Sequence, residues 1–503
     1  MDKYIIEEIT GHRHRLDGRQ GGIPSQLLSW NANRAKCNQF YLNRPRKTRS
    51  ACNLQELECQ NNLDISNYLN SSFDSQNNLS DVLDPFSNHI SLTTQIANTL
   101  LHHDYLILLS KAMITFGAPA HRLEQNLYET SKALNLNSSV AHMPGVTFIS
   151  FWDSNTHTSD THIIRTVEGF HMNKLEQTYF LSKQVIHEKA TLKDAYAALE
   201  DLLTSPPTWP WWIRLLTYPL CSFCMTPSLL NGSWLDAVTG AGLSFGVGTL
   251  ALLSEKIYSY HNVFELSAAI MCAFIATALH RHICYINVVV SSVTLLLPGL
   301  QLTSAVLELA SKNPISGVIR LVYALVMAFM LGFGLNIGSQ AWSAIDSEAV
   351  KSETCDTVSS YWDFLLIPML SVGYCVSLNA SIKQWPPMMV LVFIGYTVSY
   401  FTARFMDVTV SAAISSFVIA LVGNMYARIS NRFGFGAVLA AVMILVPGSL
   451  GVKGFLRAFG NNSDGSQLAF QMVVVALSIA MGLFMASLLV YPQGKKHTAL
   501  IMF

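Results

Sequence analysis

With 503 residues, 51% of them hydrophobic and only 13% charged, the chain is too apolar for a wholly soluble protein and belongs partly in lipid. The formal charge of zero hides a division: residues 1–208 carry 18 Lys/Arg and 21 Asp/Glu, whereas 209–503 carry 14 and 11 over a longer stretch. The opening MDKYIIEEITGHRHR has acids and no apolar core of leader length, so the polar N-terminal part is expected on the cytosolic side.

Residues 1–95 are rich in Asn, Gln and Ser without sustained periodicity, which predicts a disordered polar tail. Its basic run of Arg34, Lys36, Arg44, Arg46, Lys47 and Arg49 lacks any aromatic or motif context, and no nucleic-acid partner is expected. Residues 96–208 read as a small α+β domain. Leu106, Leu109, Met113 and Phe116 recur at helical spacing, and a second helix is expected to begin near Pro119 with Leu123, Leu127 and Leu134. VTFISFWD and THIIRTV alternate as the two strands of a β-hairpin. Thr191 with Asp194 three residues on forms a capping box for a last helix burying Leu192, Ala195, Leu199 and Leu202.

Beyond the Ser205-Pro206-Pro207 breaker, apolar stretches follow at about 209–230, 233–254, 263–279, 283–300, 315–338, 362–379, 385–401, 408–427, 435–452 and 468–491. Most approach the roughly 20 residues that cross about 30 Å of hydrocarbon, and runs of this length satisfy their backbone only as helices. The expected fold is an all-α polytopic membrane domain of about ten transmembrane helices. It is divided into 209–338, an acidic loop 339–361, and 362–492. With both termini cytosolic, eight Lys/Arg fall in inside segments against five outside, and the acidic loop falls outside, in the sense of the positive-inside bias. The nine cysteines are scattered, so reduced thiols are expected, and the Cys221-x-x-Cys224 pair reads as a packed helix face. The series Gly240, Gly242, Gly246 and Gly248 follows no strand and reads as close helix packing, not a phosphate loop.

Two segments resemble each other: LLLPGLQLTSAVLELASKNPISGVIRLVYALVMAFMLGFG and ILVPGSLGVKGFLRAFGNNSDGSQLAFQMVVVALSIAMGLF, offset by 149 residues from Pro298 to Pro447. With five helices per half, the second copy enters from the opposite side, a 5+5 inverted repeat of the kind that places a solute site between halves. Pro-Gly within an apolar span frees backbone groups that only protein or a water-filled cavity can receive. Candidate substrate-binding residues are therefore Pro298, Gly299, Thr303, Ser304, Glu308, Arg320, Asn424, Pro447, Gly448 and Ser449. The charged members are costly in a membrane and so point to function, unless they snorkel at the interface.

FGAPAHRLEQ (116–125), MPGVTFISF (143–151), LLLPGLQLTSAVLEL (295–309), GNMYAR (423–428) and LVPGSLGVKG (445–454) resemble the threonine/serine exporter family, and within it the fungal pheromone-regulated membrane protein 10-like branch. The resemblance covers about 104–492 and implies a cytosolic domain joined to ten transmembrane helices, with export of small amino acids such as threonine and serine or a related small carboxylate. A secondary transporter fits the lack of a Walker-type loop; its partners are a small-molecule substrate, the lipid bilayer and a coupling ion, with no resident cofactor or metal, and oligomers are compatible with it. Two other classes compete. A membrane-tethered hydrolase would use His157-x-x-Asp160-x-His162, and a structural membrane scaffold would use the Pro-Gly elements only as kinks.

Overall fold

The computed structural model describes residues 79–153, 157–311, 313–346, 357–430, 433–446, 448–459 and 465–490. All of these from 94 onward belong to one compact unit, and of 1–93 only the helical course of 79–93 is described. The expected polar tail and its basic run lie outside the described residues up to 78, as do residues 347–356 of the acidic loop.

The α+β layer begins with α1 (Leu79–Thr115), which starts 25 residues before Asp104, the first residue of the helical periodicity read in the sequence. Then follow α2 (Ala120–Ala133), β1 (Ser138–Met143), β2 (Val146–Asp153), β3 (Thr158–Arg165), α3 (Met172–Ile186) and α4 (Leu192–Thr204). Pro119 is the N-cap of α2, and the Thr191 hydroxyl caps α4 by accepting the Asp194 amide at 3.2 Å. The strands form an antiparallel meander in the order β1-β2-β3, one strand more than the expected hairpin. On β2 the buried set is Thr147, Ile149 and Phe151, facing Leu106, Leu109, Leu123 and Leu175 in a core that runs without a break into membrane-helix residues such as Leu370 and Tyr374.

The apolar part comprises α5 (Trp211–Leu230), α6 (Trp234–Lys256), the short α7 (Tyr258–His261), α8 (Phe264–Ala278), α9 (Tyr285–Ser292), α10 (Gly299–Ala310) and α11 (Pro314–Ser343), followed by α12 (Asp363–Ser377), α13 (Trp385–Thr402), α14 (Val408–Ser430), α15 (Phe435–Leu445), α16 (Gly448–Phe459) and α17 (Gly465–Val490). Among the described residues five stretches are long and apolar enough to cross a membrane, and the pair α9/α10, bent by 57°, brings the number to six. The others are short, as with the 15 residues of α8 and of α12, or carry internal prolines, as α5 does at Pro219 and Pro227. An exposed apolar stripe on α11, Ile315, Val318, Val322, Val326 and Phe329, repeats every three to four residues. A continuous face of this kind is stable against lipid, not water.

Small residues let the helices approach closely. A β-carbon on Gly240 would stand 2.6 Å from Ser291 Oγ and 3.1 Å from Ser222 Oγ, so α5, α6 and α9 meet there, whereas Gly242 faces open space. Cys221, Cys224, Cys272 and Cys375 are free and buried, as packed helix faces. Cys284 departs from the expectation of reduced thiols: it is disulfide-bonded.

Candidate functional site at two facing broken helices

Two helical paths break at their Pro-Gly dipeptides with matching geometry. Leu297, before Pro298, has φ −61 and ψ 128, and Val446, before Pro447, has φ −64 and ψ 127. Proline forces this extended conformation on its predecessor, so the same dipeptide ends α9's path and α15 in the same way. The chains then restart as α10 and α16, whose first residues touch: a β-carbon on Gly299 would stand 1.9 Å from Val446 Cγ1 and 2.9 Å from the Gly448 amide nitrogen. Only glycine admits that approach, which sets two helix N-termini with their unpaired N–H groups beside each other.

A cavity of about 540 Å³ opens against this junction, lined there by Pro298, Gln301, Val446 and Gly448. Tyr218, Thr294 and Tyr374 add hydroxyls to its wall, and Gln301 Oε1 is buried without a hydrogen-bond partner. Toward the α+β layer the lining becomes charged, with Arg214 paired to Glu255, and Glu265 nearby. His171 is held below its ordinary value by burial, reinforced by the Lys174 and Arg214 cations, and so stays neutral at the rim. The wall is mainly apolar with a few polar groups, the mixture from which small-molecule sites are generally built.

The ten candidate residues read from the sequence do not all gather at one place. Pro298 and Gly448 line the cavity, and Gly299 packs behind it at the junction. Pro447 lies outside the described residues; Ser449 and Ser304 are half-buried near the two restarts without lining the cavity. Thr303 is buried and its hydroxyl donates to Gly299 O at 3.0 Å within its own helix, while Asn424 Nδ2 donates to Ser487 Oγ at 3.4 Å between α14 and α17. Glu308 and Arg320 form an ion pair at 3.1 Å away from the cavity, joined by Glu168 of the α+β layer, whose Oε2 lies 2.7 Å from Arg320 Nη1. Burial alone would raise the Glu168 carboxyl, but the His142 side chain and Arg320 outweigh it and hold it below the usual carboxylate range. Glu168, Gln301 and Tyr374 carry no spacing signal; they meet through contacts between distant segments.

In the alternative cluster, His162 Nε2 is 3.0 Å from Asp160 Oδ2 on the exposed face of β3. Among the described residues no three His, Cys, Asp or Glu side chains are grouped to hold a metal ion.

A mostly helical membrane protein with two broken helices meeting at a cavity is the architecture of a solute-handling protein, and family comparison agrees. Residues 104–342 match the family model described as "Putative threonine/serine exporter", and residues 363–489 match the model "Threonine/Serine exporter, ThrE". The chain belongs to the threonine/serine exporter family. It is similar to proteins named pheromone-regulated membrane protein 10 in Candida albicans (33% identity over 82% of this chain and 40% of the relative), Kluyveromyces lactis (32%, 81% and 46%) and Saccharomyces cerevisiae (31%, 81% and 56%). The chain thus spans about half the length of these curated relatives. No solved structure matches it. Membership suggests a membrane transporter.

Proposed function

We propose that the chain is a secondary transporter that exports small amino acids such as threonine and serine, or a related small carboxylate, through alternating access about the junction of α10 and α16. The observation that carries this reading is that both Pro-Gly breaks meet, glycine against glycine, at the wall of one cavity of about 540 Å³. Paired helix N-termini favour the carboxylate of a substrate, and Pro298, Gly299, Pro447, Gly448 and Ser449 would hold those termini open to it. Gln301 Oε1, unpartnered in the wall, suits an ammonium or hydroxyl donor on the same solute. Thr303, Ser304, Glu308, Arg320 and Asn424 would act through the helices that carry them.

Contacts at the helix ends support ten crossings arranged as two inverted sets of five. On the side of the α+β layer, Trp209 Nε1 donates to Ala380 O at 3.0 Å, Gln384 binds Glu176, and Arg428 Nη1 donates to Val490 O at 3.1 Å. At the opposite ends, Trp234 packs on Trp362 at 5.2 Å, Asp236 Oδ1 accepts the Cys284 amide at 2.8 Å, and Arg281 pairs with Asp346 at 3.5 Å. Successive helices join these two groups alternately, with α9/α10 and α15/α16 each counting as one broken crossing. The α+β layer would face the cytosol, and drive would come from a coupled ion.

The test is efflux of radiolabelled threonine and serine from preloaded vesicles containing the full chain, beside a Pro447→Ala/Gly448→Leu variant. Saturable efflux that the variant loses supports the reading. No flux of these or other small amino and carboxylic acids in monodisperse protein removes it.

A further inference from the structure

One turn of α2 grips both broken helices. The Ala120 amide donates to Glu308 Oε1 at 3.2 Å near the end of α10, and the Arg122 guanidinium lies 5.1 Å from the Phe433 ring centre and 4.9 Å from that of Phe435 at the start of α15. Glu124 Oε1, on the same turn, accepts the His142 amide at 3.2 Å. Sequence distance hides this arrangement, since Ala120 and Glu308 are 188 residues apart.

A second chain of contacts leaves Glu308 in the other direction. Its side chain is 1% exposed, and Oε2 accepts from Ser316 Oγ at 2.7 Å while facing Arg320 Nε at 3.1 Å. Arg320, on α11, reaches Glu168 Oε2 at 2.7 Å, and Glu168 Oε1 lies 3.7 Å from His142 Nε2. His142 Nδ1 is in turn hydrogen-bonded with Thr147 Oγ1 at 2.7 Å. Charges this deeply placed must stay paired, because removing one partner strands the other away from water.

Glu168 also opens the strap 168–172 that joins β3 to α3, and that strap is the rim of the cavity. Phe170 and His171 line the cavity from one side, and Leu378 and Asn379 at the end of α12 line it from the other. The two sides are stitched by backbone: Met172 N donates to Leu378 O at 3.0 Å, Asn173 N to Asn379 O at 3.3 Å, and Asn379 Nδ2 to Phe170 O at 3.2 Å. The strap rests on the turn after α1, where the His171 amide donates to Phe116 O at 3.1 Å and a β-carbon on Gly117 would stand 2.3 Å from Gly169 O.

We propose that the strap 168–172 is the inner gate of the cavity, and that the chain Glu168–Arg320–Glu308 is its latch, tying the gate to the broken helix α10. The same helix that carries Glu308 near its end begins at Gly299, behind the cavity wall, so a shift of α10 moves Arg320's partner and loads or releases Glu168. A solute or helix movement sensed at the junction is then reported to the rim through two ion pairs. This inference rests on the reading that the cavity admits a solute; the fold and the ion pairs do not.

The test reads gate opening without any substrate. A Gln301→Cys reporter in the full chain, in vesicles whose α+β side is accessible, is exposed to a membrane-impermeant charged thiol reagent and labelling at that residue is followed by peptide mass spectrometry. Glu168→Gln is expected to raise the labelling rate roughly tenfold, equivalent to ~1.4 kcal/mol of gate stabilisation removed. The double variant Glu168→Gln/Arg320→Gln is expected to label no faster than Glu168→Gln alone, since both remove the same link. Glu168→Asp, which keeps the charge with shorter reach, should fall between and serves where the glutamine variant does not fold. A Glu168→Gln rate within about twofold of the parent, in monodisperse protein whose buried Cys221 stays unlabelled, overturns the gate. Additive effects in the double variant overturn the latch. Gated labelling without amino-acid flux would instead remove the transport reading and leave the gate standing.

Discussion

Gly299 and Gly448 stand face to face at the start of two helices, so close that a β-carbon on Gly448 would lie 3.0 Å from Leu297 Cβ and 3.2 Å from the Gly299 amide nitrogen. The two breaks are therefore one structural object, and each glycine is required by the other's backbone. Gly299→Ala forces Val446 and the Gly448 backbone apart, and overpacking of this kind costs about 1–3 kcal/mol. The expected result is a lower unfolding temperature and loss of efflux for Gly299→Ala. Gly242→Ala is the control: nothing lies within 4 Å of its β-carbon, and helix propensity favours alanine by about 1 kcal/mol. Equal stability and efflux of the two variants would contradict the close junction.

Gly117 carries the strap. Its φ of +89 lies where a side chain is strained, and its β-carbon would meet Gly169 O at 2.3 Å. Gly117→Ala should lift residues 168–172 from the α1–α2 turn, seen as faster backbone hydrogen exchange at 170–173 with unchanged exchange in α11. Gly145 is the comparison, with a similar φ of +84 but open space around it. Gly145→Ala pays the backbone strain alone, and protection of the strap should survive it.

The apolar runs, the two Pro-Gly breaks and their kinship are legible in the chain because each is local: hydropathy over 20 residues, or a dipeptide repeated at an offset. Thr191 and Asp194 announce α4 for the same reason, a cap needing only four residues. The strand Ser138–Met143 escapes such reading, since its buried His142 and polar serines give no apolar alternation, and its partner across the register, Val146–Phe151, supplies the order. The cavity and the latch are equally silent. Glu168 and Gln301 look like ordinary polar residues until α3, α10 and α11 are packed, and Glu308 looks like a ligand until Ala120, Ser316 and Arg320 are seen to occupy it.

His121, beside the latch on α2, provides a pH signature. It is 4% exposed, its Nδ1 has no hydrogen-bond partner, and burial, aided by the Arg122 charge, pushes it down from 6.5 to about 3. A group depressed in the folded state contributes stability that is whole above the unfolded value and is lost as pH falls towards the folded one, because the unfolded chain takes up the proton first. Stability should therefore decline from pH 6.5 downward, by about 2 kcal/mol at pH 5 if the imidazole stays neutral in the fold. In His121→Leu the difference from the parent should shrink as pH is lowered. Parallel unfolding curves for the two proteins from pH 7 to 5 would show that His121 is protonated without cost.

Cys284 tests which way the molecule faces. It is disulfide-bonded, and it sits at the N-cap of α9, where its amide donates to Asp236 Oδ1 at 2.8 Å. Asp236 also closes the capping box of α6 with Ser233, so one buried carboxylate holds the starts of two helices, at the end that the proposed ten-crossing path puts away from the α+β layer. Disulfides persist in oxidising compartments, and thiols stay reduced in the cytosol. If the α+β layer is cytosolic, the Cys284 end must lie on the opposite side of the membrane. In sealed vesicles of known sidedness, an impermeant maleimide applied with an impermeant reductant should label Cys284 only from the side opposite the α+β layer. Asp236→Ala, which strips two helix starts of their acceptor at about 1–2 kcal/mol each, should loosen this end and speed that labelling without making Cys284 reachable from the other face. Labelling of Cys284 from the α+β side in intact vesicles would remove the ten-crossing path on which this placement depends.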